Sequence, residues 1–392
     1  MLSRTRRRSF LRFTTAFGSA ALVDPDLPAC AASPDCAAHP DKMPPGHDDD
    51  FDLARWIQPV PDHAVFRESG WFVWCGAMTR DADGRCHLYY SRWRREEGFC
   101  AWVTHSEIAH AVADHPLGPY RHADVALPAR GPDFWDGHCT HNPAIMESGG
   151  RYYLYYMGNR GDRKPAANGL NFLHRNNQRI GVAVADSPGG PWRRDDRPLI
   201  DVVPGFHDAL CCANPTVMRR PGGGFLMIYK GVAKERPLPF GGPVVHIVAT
   251  SPSPEGPFTR LPAPVFTRPG ADFPAEDPCI WYQNGEYRAV VKDMRGFFTG
   301  EGRSLALMRS PDGIDWSPAP RVLVSQTGYT TIAGRRVPLH ALERPQIWLD
   351  GGEPAVLFCA ASPDEQPGGG ETFNIAIPLK RPSGHLSGHP SP

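Results

Sequence analysis

Four strand starts of one kind, spread through the chain at nearly even intervals, constrain its fold more than any other feature. They read THNPAI (140–145), CANPTV (212–217), AEDPCI (275–280) and LERPQI (342–347). Their prolines stand at 143, 215, 278 and 345, which are 72, 63 and 67 residues apart. Behind each comes a Gly-containing turn and a second apolar run: YYLYYMG (152–158), FLMIYKG (225–231), YRAVVKD (287–293) and AVLFCAA (355–361). A third run follows in three units, as RIGVAVADS (179–187), VVHIVATS (244–251) and RSLALMRS (303–310). The units close on SPGGPW (187–192), PSPEGPF (252–258) and SPDGIDW (310–316).

An earlier and less regular unit holds FVWCGAM (72–78) and RCHLYYSRW (85–93) and closes on ADHPLGPY (113–120). Five units of about 65 residues, each with three or four short strands, predict an all-β fold, a five-bladed β-propeller. One hairpin unit cannot bury both its faces, so neighbouring units must supply the core. The last unit runs to FNIAIPLK (373–380) without a closing tag, so residues 51–72 are expected to pack against it and help close the ring. SEIAHAVADH (106–115) reads as the single short helix.

Composition supports this and narrows the partners. Gly (40) and Pro (43) are abundant but scattered among aromatic and β-branched runs, which suits many tight turns. Acidic and basic residues balance at 42 each, and past the first dozen residues Lys and Arg form no run. No nucleic-acid partner is expected. Residues 1–30 read as a twin-arginine-type export signal around Arg7-Arg8-Ser9-Phe10-Leu11, residues 31–50 as a disordered linker. The propeller then occupies 51–380 and a flexible tail 381–392. The expected location is periplasmic or secreted, with a lipoprotein anchor at Cys30 the weaker alternative and no transmembrane segment, since Asp24 and Asp26 interrupt the apolar run. Ten cysteines without a C-x-x-C pair point to buried thiols rather than a disulfide frame or zinc ribbon.

The X-Pro pairs carry the functional reading. Proline cannot donate to a sheet ladder and is expected at a strand's first residue or on an edge, with extended geometry in the residue before it. The first strand of a blade lines the central channel. Polar residues ahead of each proline should therefore gather where the channel opens: His141-Asn142, Asn214, Glu276-Asp277 and Glu343-Arg344, with His340 close by. The same residues could instead tie blades together at the channel neck.

These strand starts, the GRYYLYY hairpin and the VAVADSPGGPW closer resemble the five-bladed propeller glycoside hydrolases, families 43, 32, 62 and 117, most nearly families 117 and 43. The likeness covers roughly residues 64–380. It implies glycosidic bond hydrolysis at the channel mouth, usually with inversion, by one carboxylate that activates water and an acid that protonates the leaving oxygen. Asp277 becomes the principal catalytic candidate, as base or pKa modulator, with Glu276 beside it and Glu343 next. By likeness to family 117, His340 is a candidate general acid. The base of family 43 is an Asp on the first blade's inner strand, where this chain has Trp74-Cys75-Gly76.

FWDGHCTHNP and FHDALCCANP place Asp136 and Asp208 six residues before their asparagines, as further catalytic carboxylates or as turn caps. Trp74, Trp135 and His141 are candidates for holding sugar rings, with Asn142, Asn214 and Arg344 binding hydroxyls. Lys230, Lys292 and Asp293 would contact an anionic sugar or bridge blades. No cofactor is required; a structural calcium in the central channel is the one addition the resemblance allows. The expected function is an exported, exo-acting, inverting glycoside hydrolase releasing a terminal sugar from a plant or algal oligosaccharide. The alternatives are a non-catalytic carbohydrate-binding propeller and a family 130-like phosphorylase, for which Arg344, Lys230 and Lys292 look too scattered to bind phosphate.

Overall fold

Gly149 and Gly150 both take left-handed φ, 64° and 76°, so the chain reverses in two residues between a ten-residue and a nine-residue strand. Tight hairpins of this kind build five four-stranded antiparallel sheets in a computed structural model that describes residues 51–382 save 165, 167–168 and 365–369. The expected signal and linker, and the tail from residue 383, lie outside the described residues.

The first strand, β1 (Val65–Phe66), stands apart from those that follow it. Blade I is β2 (Trp71–Arg80), β3 (Cys86–Arg94), β4 (Glu107–Ala113) and β5 (Arg121–Leu127). Blade II is β6 (Cys139–Ser148), β7 (Arg151–Asn159), β8 (Arg179–Ala185) and β9 (Arg193–Arg194). Blade III is β10 (Cys211–Arg219), β11 (Phe225–Val232), β12 (Val244–Ser251) and β13 (Thr259–Val265). Blade IV is β14 (Ala275–Gln283), β15 (Glu286–Asp293), β16 (Ser304–Ser310) and β17 (Ser317–Gln326). After a small hairpin, β18 (Gly328–Thr330) and β19 (Arg336–Pro338), blade V follows as β20 (Ala341–Asp350), β21 (Glu353–Ser362) and β22 (Phe373–Pro378).

Blade V takes its fourth strand from the other end of the chain. β1 pairs with β22, Val65 opposite Ile375 and Phe66 opposite Asn374, which is the closure expected of residues 51–72. Leu53 and Trp56 are buried beside it, and Ile57 bridges to Leu379. Phe66 packs edge-on against Tyr90, ring centroids 4.9 Å apart. Truncation of Phe66 to alanine should cost about 3–5 kcal/mol, read as a fall in the urea midpoint without loss of cooperativity.

The core lies between blades. Leu154 and Tyr156 of blade II meet Tyr89 and Ile108 of blade I. Tyr155 and Val182 meet Met227 and Ile247 of blade III. Ile228 and Val248 meet Ala289 and Met308 of blade IV. Val290 and Leu305 meet Val356 and Leu357 of blade V, which join Leu88 and Tyr90 of blade I and complete the circle. The closing tags tie neighbours as well: Tyr89 donates its hydroxyl to the Pro188 carbonyl at 2.5 Å, and Tyr155 does the same to Pro254 at 2.8 Å.

Two expectations need correction. Residues 106–115 are not a helix. Glu107–Ala113 is strand β4, hydrogen-bonded on both sides, because its small and β-branched residues are buried between β3 and β5. Nor do the prolines begin their strands. Each sits inside one, at a bulge: the pairing of β6 with β7 jumps from His141–Met157 to Ala144–Tyr155. The eight described cysteines that fall on these blades and loops are all free thiols, seven of them buried. No helix among the described residues is long and apolar enough to cross a membrane.

Candidate functional site

The bulge recurs in all five inner strands and places one residue of each in the left-handed region: Cys75, Asn142, Asn214, Asp277 and Arg344, with φ of 55°, 54°, 52°, 56° and 55°. This overturns the extended geometry expected ahead of the prolines. Asn and Asp tolerate this conformation well, whereas Cys75 and Arg344 occupy it at a backbone cost of order 1–3 kcal/mol each. Blade I has Gly76 in place of proline, and its N–H donates to Asn374 Oδ1 at 3.1 Å.

Four hydrogen bonds join the five left-handed residues into a partial ring across the channel, open between Cys75 and Arg344. Cys75 Sγ donates to Asn142 Oδ1 (2.8 Å), Asn142 Nδ2 donates to Asn214 Oδ1, Asn214 Nδ2 donates to Asp277 Oδ1 (2.7 Å), and Arg344 Nη1 donates to that same oxygen (3.1 Å). All five are buried. For Asn142, Asn214, Asp277 and Arg344 the geometry is therefore that of blade ties at the channel neck. Burial, then the charge of Glu276, push the Asp277 carboxyl upward against the pull of Arg344.

The residues one position earlier form the layer nearest the ring. Glu276 accepts from Lys230 (2.8 Å) and Lys292 (3.3 Å), and Lys292 reaches on to Glu343 (2.6 Å). Lys230 and Lys292 come from the second strands of blades III and IV, so three neighbouring blades meet in one chain of alternating charge. Burial alone would raise the Glu276 carboxyl, but the two ammonium groups outweigh it and hold it well below the usual carboxylate range. Lys292 is likewise held protonated by Glu343 and Glu276 against its burial. Glu343 and Lys230 keep side-chain exposures of 15% and 16%, the openings of this layer to solvent. The lysines that looked scattered in the sequence are thus brought together, each on a carboxylate.

On the blade I–II side stand Trp74, packed against Phe99 with centroids 5.6 Å apart, and His141, whose Nδ1 pairs with Ser106 Oγ at 2.7 Å. Burial, then Arg344 and Lys230, depress His141 far below its ordinary value, so it is neutral. Trp102 lies 5.1 Å from the His141 ring. His246, opposite Lys230 on β12, is pushed down to about 3 by burial and by Lys230. His340 lies at the start of blade V, Nε2 3.0 Å from Arg303 Nη1.

Buried neutral histidines make a pH prediction. The unfolded chain binds a proton at each of them near pH 6.5 while the folded chain does not, so stability falls as pH drops below that value. His174, pushed down to about 4 chiefly by burial, acts in the same direction. The urea midpoint should decline steadily from pH 7 to pH 5, and His246→Phe should flatten the decline.

Other candidates are placed elsewhere. Asp136 and Asp208 are wholly buried, each in pairings of its own. Asp136 accepts from Tyr156 (2.7 Å), Arg130 (2.9 Å) and Arg194 (3.2 Å); Asp208 accepts from Tyr229 (2.7 Å) and Arg260 (2.9 Å). They are clamps of two equivalent blades, not substrate-facing acids. Their partners had a signal: Arg194 and Arg260 each stand four residues past the glycine of a closing GP. Asp293 faces no substrate either: its carboxylate accepts the backbone N–H groups of Phe297, Phe298 and Thr299 and so caps a loop. Trp135 lies over Tyr156 at the outer side of blade II. The residues missed by sequence reasoning are Cys75 as a ring member, and Ser106 and Trp102 as supports of His141.

The channel does not fit calcium. That ion takes six to eight oxygens, whereas the ring offers one carboxylate already joined to Arg344, with lysines in the next layer. Among the described residues no group of three or more His, Cys, Asp or Glu is placed to hold a metal.

No protein-family model matches the sequence, and no curated protein matches it. Solved structures do. The chain is similar to Zg3597, a family 117 glycoside hydrolase produced by the marine bacterium Zobellia galactanivorans, with TM-score 0.56 and 15% identity over 82% of this chain and 89% of that one. It is similar to a thermostable family-43 glycoside hydrolase, with TM-score 0.51 and 14% identity over 86% and 98%. An alpha-L-arabinofuranosidase from Lactobacillus brevis gives TM-score 0.53 and 12% identity over 83% and 94%. The fold is therefore the five-bladed β-propeller found in glycoside hydrolases of families 117 and 43.

Proposed function

We propose that the protein is a glycoside hydrolase acting on an oligosaccharide at the channel mouth, with Glu276 and Glu343 as its working carboxylates. The observation that carries this reading is the shared Lys292: two acidic side chains from adjacent blades lie within 3.3 Å of one ammonium nitrogen, next to Lys230. Glu276, kept ionised by two lysines, suits the role that needs a permanent negative charge, activation of water or support of an oxocarbenium-like transition state. Glu343, paired with Lys292 and more open to solvent, would support the charge of the transition state, and His340 at the rim is the candidate donor of a proton to the leaving oxygen. Trp74 and His141, expected to hold sugar rings, are instead buried among Phe99, Trp93 and Trp102 and support the wall of the channel.

The finer reading is an exported, exo-acting, inverting enzyme. The left-handed residues of all five inner strands are buried and linked across the channel, which supports entry of a chain end from one side. Inversion is supported by the resemblance to families 43 and 117, and export by the twin-arginine motif at 7–11. Incubation with a panel of plant and algal oligosaccharides, followed by NMR of the first anomer released, tests both: one terminal sugar of inverted configuration is expected, and internal cleavage or a retained anomer contradicts the finer reading.

A non-catalytic carbohydrate-binding propeller is favoured by one feature, the buried Cys75 where the resemblance expects an Asp; burial pushes its thiol well above the ordinary range. Calorimetric binding without cleavage across the panel would establish it. Phosphorolysis is tested by adding inorganic phosphate and looking for a sugar phosphate.

A further inference from the structure

A cleft of about 400 Å³ opens between the outer parts of blades II and III, away from the channel. Trp135 and Tyr156 line it together, their rings stacked with centroids 5.6 Å apart and planes 21° off parallel. The indole needs two glycines. A Cβ on Gly181 would stand 2.6 Å from Trp135 Cζ2, and one on Gly158 2.8 Å from Cζ3. Blade III repeats the same clamp with only one of these glycines, Gly231 in the place of Gly158: Tyr229 faces Ile247 where Tyr156 faces Gly181, and His207 holds the place of Trp135 before the buried Asp. The Asp–Tyr–Arg clamp is thus complete without a tryptophan, so the platform is an addition peculiar to blade II. Its indole N–H is spent on the Asp195 carbonyl at 3.3 Å, which fixes the ring plane.

We infer that this cleft is a second saccharide-binding site, in which a sugar ring stacks on Trp135. An aromatic surface beside polar groups is the arrangement that grips the apolar face of a sugar while its hydroxyls are bonded. The polar groups are Asp195, Asp196 and Glu255, with Arg197 as the lining cation. Carboxylates accept hydroxyl protons, and each of these is held in place by an arginine: Asp196 by Arg130 (3.1 Å), Asp195 by Arg193 (3.6 Å) and Glu255 by Arg193 (2.8 Å). The site rests on the proposed function only in the choice of saccharides as probes.

The test uses full-length protein with ¹⁵N-labelled tryptophan, titrated with neutral arabinan, xylan and cellulose hexasaccharides and with an oligogalacturonate. Trp135→Phe assigns the Trp135 indole signal. That signal should shift saturably with at least one of these oligosaccharides, and Glu276→Gln should leave the shift unchanged. In calorimetry on the Glu276→Gln background, Trp135→Ala should remove one binding site per chain for that sugar and leave binding at the channel. A Trp135 signal that ignores every probe, or one that moves only when Glu276 is intact, overturns the inference. Should wild-type protein cleave nothing while the shift persists, the second site stands and the catalytic reading alone fails.

Discussion

Glu276→Gln is expected to reduce turnover by about 10²–10⁴-fold, the range a positioned acid–base group contributes, while the affinity for oligosaccharide is kept. The substitution preserves shape and one acceptor oxygen for Lys230 or Lys292, and Lys292 retains Glu343. What is lost is the permanent charge that the two ammonium groups maintain. Turnover on the best substrate of the panel, measured with a calorimetric dissociation constant and a melting curve, checks the expectation. Unchanged turnover would remove Glu276 from the mechanism. Asp277→Asn serves as the contrast: buried in the ring and bonded to Asn214 and Arg344, Asp277 should influence stability more than rate.

Arg344→Met is expected to destabilise the propeller by about 3–5 kcal/mol, the usual consequence of removing one partner from a buried ion pair. Asp277 would then hold a buried negative charge with only Asn214 to satisfy it. The double variant Asp277→Asn/Arg344→Met should recover most of the loss, since no uncompensated charge remains. Urea midpoints of the two single variants and the double variant form the cycle that checks this. Equal destabilisation in the Arg344→Met and double variants would show that the arginine acts through packing rather than through Asp277.

The propeller was legible because repeated Pro, Gly-turn and closing-tag signals must recur wherever one blade is stacked on the next. Ring closure by residues 51–72 was legible for a related reason: a unit without a closing tag lacks its outer strand. The misreading of 106–115 came from a run of small residues whose burial on both sides is set by neighbours distant in sequence. At the site, the X-Pro positions were correctly placed along one channel, but which member of each pair turns inward was not readable. The bulge decides it, sending Asp277 into the ring and Glu276 to the lysines. Asp136 and Asp208 were drawn toward the site by their spacing, whereas Arg194 and Arg260, which bind them, lie 58 and 52 residues further on.

The union of β1 with β22 has a consequence for biogenesis. A nascent chain cannot seal its circle until residues 373–378 have left the ribosome, so four finished sheets must wait for the fifth. Contacts this remote in sequence form slowly. Until they do, or if the chain stops short, β22 or β1 presents an unpaired backbone edge, a template for aggregation.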